Sequence, residues 1–152
     1  MLVAGILNDL GNALTARRQF AEAIDVYAES RVLANETKQQ ALAATAQING
    51  AMALLQNQQL GEAHRHLDQA WSDVRSLGDG HAKTAGLLNI GLGYQELFAA
   101  STGKSGTAAK RDAGKGRATE AVASTGSAAG LLRQSSEAFT AAGEVAGRTG
   151  DA

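Results

Sequence analysis

The chain has 152 residues, enough for one domain or a short array of repeated units around a buried core. It contains no Pro, no Cys and few aromatic residues, which excludes disulfides, thiolate metal sites and thiol nucleophiles and favours helix throughout. A formal net charge of -1 excludes a general attraction to nucleic acid or to an anionic membrane.

The opening "MLVAGILNDL" has no basic start, and its apolar run stops at Asn8-Asp9. No targeting segment and no membrane span are expected, and the expected location is cytoplasmic. Large residues then recur three, four and seven places apart, the spacing of one face of an α-helix. This spacing predicts a first helix over about 2–17 and a second from Phe20 to Glu36.

The pattern returns forty residues later. "FAEAIDVYAES" at 20–30 is echoed by "LGEAHRHLDQA" at 60–70, placing Phe20 over Leu60, Ala23 over Ala63, Tyr27 over Leu67 and Ser30 over Ala70. The same offset of 40 puts Leu14 over Leu54 and Tyr94, Gly11 over Ala51 and Gly91, and Leu10 over Gly50 and Ile90. A fixed period of this length predicts stacked pairs of helices, with the small residues letting the helices of a pair approach closely.

The third unit is interrupted. "RSLGD" ends eight places after Ala70 at Gly78-Asp79, as "GRTGD" ends eight places after Ala142 at Gly150-Asp151, an offset of 72. About 32 extra residues therefore separate the two helices of unit three, between Ala100 and Gly130. This insert is rich in Gly, Ser, Thr, Ala and Lys/Arg, is nearly free of large apolar side chains and is expected to begin as a loop. Its "RATEAVAS" is expected to extend the last helix backward.

"LNDLGNALTARRQFAEAIDVYAES", through Leu10, Gly11, Leu14, Phe20, Ala23, Tyr27 and Ser30, resembles a tetratricopeptide repeat (TPR). "INGAMALLQNQQLGEAHRHLDQA" resembles a second copy, and "LLNIGLGYQELF" the first helix of a third. The chain departs from the family pattern in having no Trp early in the first helix, no closing Pro, and a period of 40 in place of about 34. In these respects it is similar to long-period TPR arrays. The resemblance implies an all-α, right-handed α-solenoid of about three helix-turn-helix repeats and six main helices. Repeat 1 would cover about 2–37, repeat 2 about 40–78, and repeat 3 about 80–151 with the insert at about 100–130.

In TPR arrays the first helices line a concave face, so the resemblance also implies a groove that can be followed column by column. Asp9, Asn49 and Asn89 make one column, Asn8, Ile48 and Leu88 a second, and Asn12, Met52 and Leu92 a third. Asparagine amides can hydrogen-bond the backbone of an extended peptide, a role expected for Asn12, Asn49 and Asn89. Ile48, Met52, Leu88 and Leu92 are expected to take an apolar anchor, unless they pack against neighbouring helices. TPR domains that clamp acidic C-termini add Lys or Arg to such columns, and here those cations are missing.

Other motifs carry less. "STGKSG" copies the end of a P-loop, but Phe98 stands where the motif needs Gly, and a helix precedes it in place of a strand. His64 and His66, two apart, point to different sides of a helix, and only His64 with Asp68 shares a face, short of the three or four ligands zinc takes. His81 is the third histidine that could suggest a metal. No catalytic set, metal or cofactor is expected.

The insert's Lys104, Lys110, Arg111, Lys115 and Arg117 offer an electrostatic contact to nucleic acid or to an acidic protein surface. No aromatic residue accompanies them to stack on bases, so nucleic acid is disfavoured. The leading expectation is a non-enzymatic scaffold that binds a peptide or helix of a protein partner in its groove. A second is a spacer or fragment of a larger TPR-containing regulatory protein with its activity in another domain. It is motivated by Leu132, Phe139 and Val145, which would face a next first helix and allow self-association through the C-terminal helix. A charge-driven nucleic-acid adaptor ranks last.

Overall fold

The computed structural model describes residues 2–103 and 127–150. These residues form six α-helices in antiparallel succession: α1 (Leu2–Ala16), α2 (Phe20–Glu36), α3 (Gln40–Gln56), α4 (Leu60–Ser76), α5 (His81–Ser101) and α6 (Ala128–Thr149). Each helix packs on the next along the chain, and α1 also touches α3 as α3 touches α5. Among the described residues the molecule is an all-α solenoid of three helix pairs, as the periodicity predicts. The insert falls largely on residues 104–126, so "RATEAVAS" and the basic cluster lie outside the described residues.

The forty-residue period is two steps of one turn type. Helices α1, α2 and α3 each close through a residue in left-handed conformation: Arg18 at φ 63°, Lys38 at 58° and Gln58 at 62°. In each turn the following Gln amide reaches back to a carbonyl five residues earlier: Gln19 N to Leu14 O at 2.9 Å, Gln39 N to Ala34 O at 2.7 Å and Gln59 N to Leu54 O at 2.9 Å. This is the Schellman closure, normally built with Gly because a Cβ crowds the next carbonyl there. Left-handed backbone costs a residue with a Cβ about 1–2 kcal/mol, offset in part by the extra freedom Gly has in the unfolded chain. Replacing Arg18, Lys38 or Gln58 by Gly is therefore expected to stabilise the protein by about 0.5–1 kcal/mol each, read as a raised urea midpoint at unchanged slope.

The α4–α5 connection is built differently. Asp79 there pairs with Lys83 Nζ at 3.1 Å and with Arg148 Nε at 2.7 Å, which ties the turn to the far end of α6. Those two side-chain hydrogen bonds hold the Asp79 carboxyl below its ordinary pKa.

The core is uneven. One cluster spans α3 to α6 and contains Leu54, Leu67, Leu87, Ile90, Tyr94, Leu97 and Leu131, all essentially sealed from solvent. Unit one relies on smaller groups, Ala4 with Ala34 and Ala43, and Ala23 with Tyr27 and Ala53. Each pair closes through a small residue under a large one. A Cβ on Gly11 would lie 2.5 Å from Tyr27 Cε1, and one on Gly91 would lie 2.7 Å from Phe139 Cε1. In unit two the same columns hold Ala51 and Leu67, both fully buried in the main cluster. Where the large residue is aromatic its partner is Gly; where it is Leu the partner is Ala.

Phe139 and Val145 thus depart from the expectation of an outward apolar end. Val145 is buried in the main cluster and Phe139 lies across Gly91, because both sit on the side of α6 that meets α5. Leu132 is exposed.

Candidate functional site

The first helices α1, α3 and α5 stand side by side, so their shared surface is the inner face of the array. The three columns behave differently there. In the column of Asn8, Ile48 and Leu88 the first two members are buried. Asn8 is buried and accepts from Asn49 Nδ2 at 3.0 Å, and Ile48 is 3% exposed within the main cluster. Leu88, in the same column, is 43% exposed. Ile48 is therefore a core residue and no part of an open anchor pocket. The physical reason is that the column lies between neighbouring first helices, not above them.

The column of Asp9, Asn49 and Asn89 and that of Asn12, Met52 and Leu92 form the inner surface. Asp9, Asn12, Asn89 and Leu92 are exposed, while Asn49 and Met52 are half-buried, Met52 against the main cluster. The unit-one amides form a chain: Tyr27 OH donates to Asn12 Oδ1 at 2.8 Å, Asn49 Nδ2 approaches the same oxygen at 3.4 Å, and Thr15 Oγ1 lies 3.3 Å from Tyr27 OH. Burial raises the Tyr27 pKa above its ordinary value, against a smaller lowering by Thr15, so the phenol stays a donor. The structure brings Asn8, Asn12 and Asn49 together at one end of the face and leaves Asn89 and Leu92 open at the other.

On the outer side two polar features appear that the sequence columns do not reveal. Tyr94 OH donates to Asp68 Oδ1 at 2.6 Å, Gln134 Nε2 donates to the same oxygen at 3.0 Å, and His64 stands edge-on to the Tyr94 ring with centroids 6.1 Å apart. Burial first, and Asp68 second, push the Tyr94 pKa far above the usual phenol range, so this hydroxyl is a fixed structural donor. The shared helix face of His64 and Asp68 is legible in the sequence, but their partners Tyr94 and Gln134 come from α5 and α6. Beside them a groove of about 500 Å³ runs between α4 and α6, with Trp71 and Arg75 on one wall, Glu144 and Arg148 on the other and Leu87 at its floor. Arg75 stacks on Trp71 at 5.5 Å from the ring centroid.

His66, half-buried on α4, has its pKa lowered, chiefly by burial and next by Arg31, with Glu62 acting in the opposite sense. The unfolded chain then takes up this proton first. The contribution of neutral His66 is complete above its ordinary value of 6.5 and is lost as pH falls below it. Thermal melts should show stability dropping as pH is lowered from 7.5 to 5, and His66→Gln should shrink that drop.

Among the described residues no group of three or more His, Asp or Glu side chains is gathered for a metal, and no helix is long and apolar enough to cross a membrane. The fold and its inner face define a class, the helical-hairpin repeat arrays. Residues 3–37, which span α1, the first turn and α2, match the family profile of the tetratricopeptide repeat, so this part of the chain is similar to one such repeat. Comparison with curated proteins and with solved structures gave no match. Tetratricopeptide repeats generally mediate protein–protein interaction, and the fold is typically a non-enzymatic scaffold.

Proposed function

We propose that the inner face of α1, α3 and α5 holds an extended peptide or a helix of a protein partner. The observation that carries this reading is Leu92, 48% exposed on the inner face one turn from the exposed Asn89. An exposed Leu beside an amide offers an apolar anchor and a backbone hydrogen bond within one contact. Half-buried Met52 extends the anchor toward α3, and Asn49 with Asn12 continues the amide row toward α1. Ile48 supports this surface from beneath and does not contact the partner.

Selection of a displayed random-peptide library on the immobilised protein tests the reading. Peptides with an apolar residue should be enriched, and they should lose at least tenfold in affinity for Leu92→Glu, a substitution the exposed site tolerates. Enriched peptides that bind wild type and Leu92→Glu alike would overturn it.

A further inference from the structure

Helices α4 and α6 run parallel on either side of α5 and are bridged at one level, where Gln134 Nε2 donates to Asp68 Oδ1 at 3.0 Å and Gln134 Oε1 lies 3.3 Å from His64 Nε2. Beyond that bridge the groove of about 500 Å³ opens between them. A second clasp closes its far end, where Asp79 of the α4–α5 turn holds Lys83 of α5 and Arg148 of α6. From Glu137 to Arg148 the slot is about 16 Å long by the rise of the helix.

The middle of the slot is apolar, with Leu87 and Val145 buried at its base, Ala141 beside them and half-buried Trp71 as a wall. Its two ends carry opposite unpaired charge. Glu137, exposed next to the Gln134 bridge, makes no hydrogen bond or ion pair among the described residues, and the Asp68 carboxylate on the same rim adds to its charge. At the other end Asp79 and Glu144 offset Lys83 and Arg148, but exposed Arg75 has no carboxylate partner. Its guanidinium rests over the Trp71 ring at 5.5 Å. A stacked guanidinium keeps its N–H edge free, the geometry that takes a carboxylate through paired hydrogen bonds.

This combination is particular to the second gap of the array. Between α2 and α4 the corresponding positions hold Gln47 for Leu87, Arg31 for Trp71 and Arg65 for Glu137. There the floor is polar, since the buried Gln47 amide donates to His66 O at 3.4 Å, and the acidic end is replaced by a basic one.

We infer that the α4–α6 slot docks a helix of a partner protein that is apolar in its middle, acidic where it meets Arg75 and basic where it meets Glu137. A helix is about 10–12 Å across, too wide to enter a groove of this volume, so it lies on the rim along α4 and α6. Only its apolar side chains, a turn apart, go in over Leu87 and against Trp71. The charged ends fix its direction and reject a helix of uniform charge. This surface is on the outer side of the array and does not involve Leu92.

Selection of a displayed library of helical peptides on the Leu92→Glu protein tests the site without the inner face. Enriched peptides should carry apolar residues three or four places apart, flanked on the same face by an acidic residue at one end and a basic residue at the other. They should lose at least tenfold in affinity for Arg75→Glu and for Glu137→Lys, with circular dichroism confirming that each variant stays helical. Exchanging the acidic and basic residues of a selected peptide should restore its binding to the Arg75→Glu/Glu137→Lys double variant. Such peptides leave this inference standing even where the inner face binds nothing. Peptides that bind regardless of both substitutions, or that carry one sign of charge throughout, overturn it. So does a library that yields no peptide, the result expected if a second copy or the chain's own insert filled the slot.

Discussion

Ile48→Glu is expected to destabilise the protein by about 4 kcal/mol or more, while Leu88→Glu, at the same column of the repeat, changes stability by no more than about 0.5 kcal/mol. The two positions share a register, a helix face and a similar side chain. They differ in what lies beyond them. Ile48 is 3% exposed inside the main cluster, where α3 meets α5. A carboxylate there loses the isoleucine packing and is left with no partner, and each loss alone is worth several kcal/mol. Against a total stability of about 5–15 kcal/mol, this is enough to unfold much of the array near 40 °C. Leu88 is 43% exposed, so its carboxylate stays in water. Urea melts followed by circular dichroism would show the contrast directly. Equal tolerance at both sites would mean that α5 does not cover Ile48.

The same pair shows what the sequence can and cannot reveal. Helix periodicity and the offset of 40 are local signals, and they locate α1 and α2 to within a residue at their ends. They also find the columns of small residues, Gly11 with Ala51 and Gly91, but not the large side chains Tyr27 and Phe139 that lie directly over the two glycines. Periodicity assigns a residue to a face of its own helix. It does not say whether that face is roofed by a neighbour, because the roof comes from a residue some forty places away and depends on how far two helices converge. So Ile48 reads as a groove residue although it is core, and Val145 reads as an outward residue although α5 covers it. The Asp68–Tyr94–Gln134 set escapes notice for a related reason: its members come from three helices, one of them beyond the insert, and no spacing links them. The left-handed turns at Arg18, Lys38 and Gln58 are hidden because Gly, the residue that announces such a turn, is absent from all three.

Gly11→Ala should destabilise unit one by about 2 kcal/mol, whereas Gly5→Ala in the same helix should stabilise it by up to about 1 kcal/mol. Adding a methyl group favours helix at both positions, since Ala exceeds Gly in helix propensity by about that amount. At Gly5 the new Cβ meets nothing within 4 Å, so the propensity gain is expressed in full. At Gly11 it lies 2.5 Å from Tyr27 Cε1 and 2.7 Å from Cδ1, inside the ring's contact radius. The ring cannot swing aside cheaply, because its hydroxyl is tied to Asn12 Oδ1 at 2.8 Å and the residue is buried between α1 and α3. The overpacking and the lost hydrogen bond together exceed the propensity gain. Unit two shows the remedy, since it holds Ala51 and Leu67 in the same two columns. In a Tyr27→Leu background, Gly11→Ala should therefore change sign and become neutral or stabilising. A double-mutant cycle reads this as a coupling of about 1–3 kcal/mol between the two positions. Additive effects would mean that ring and glycine do not meet, and that the size match across the three units does not set how closely each helix pair approaches.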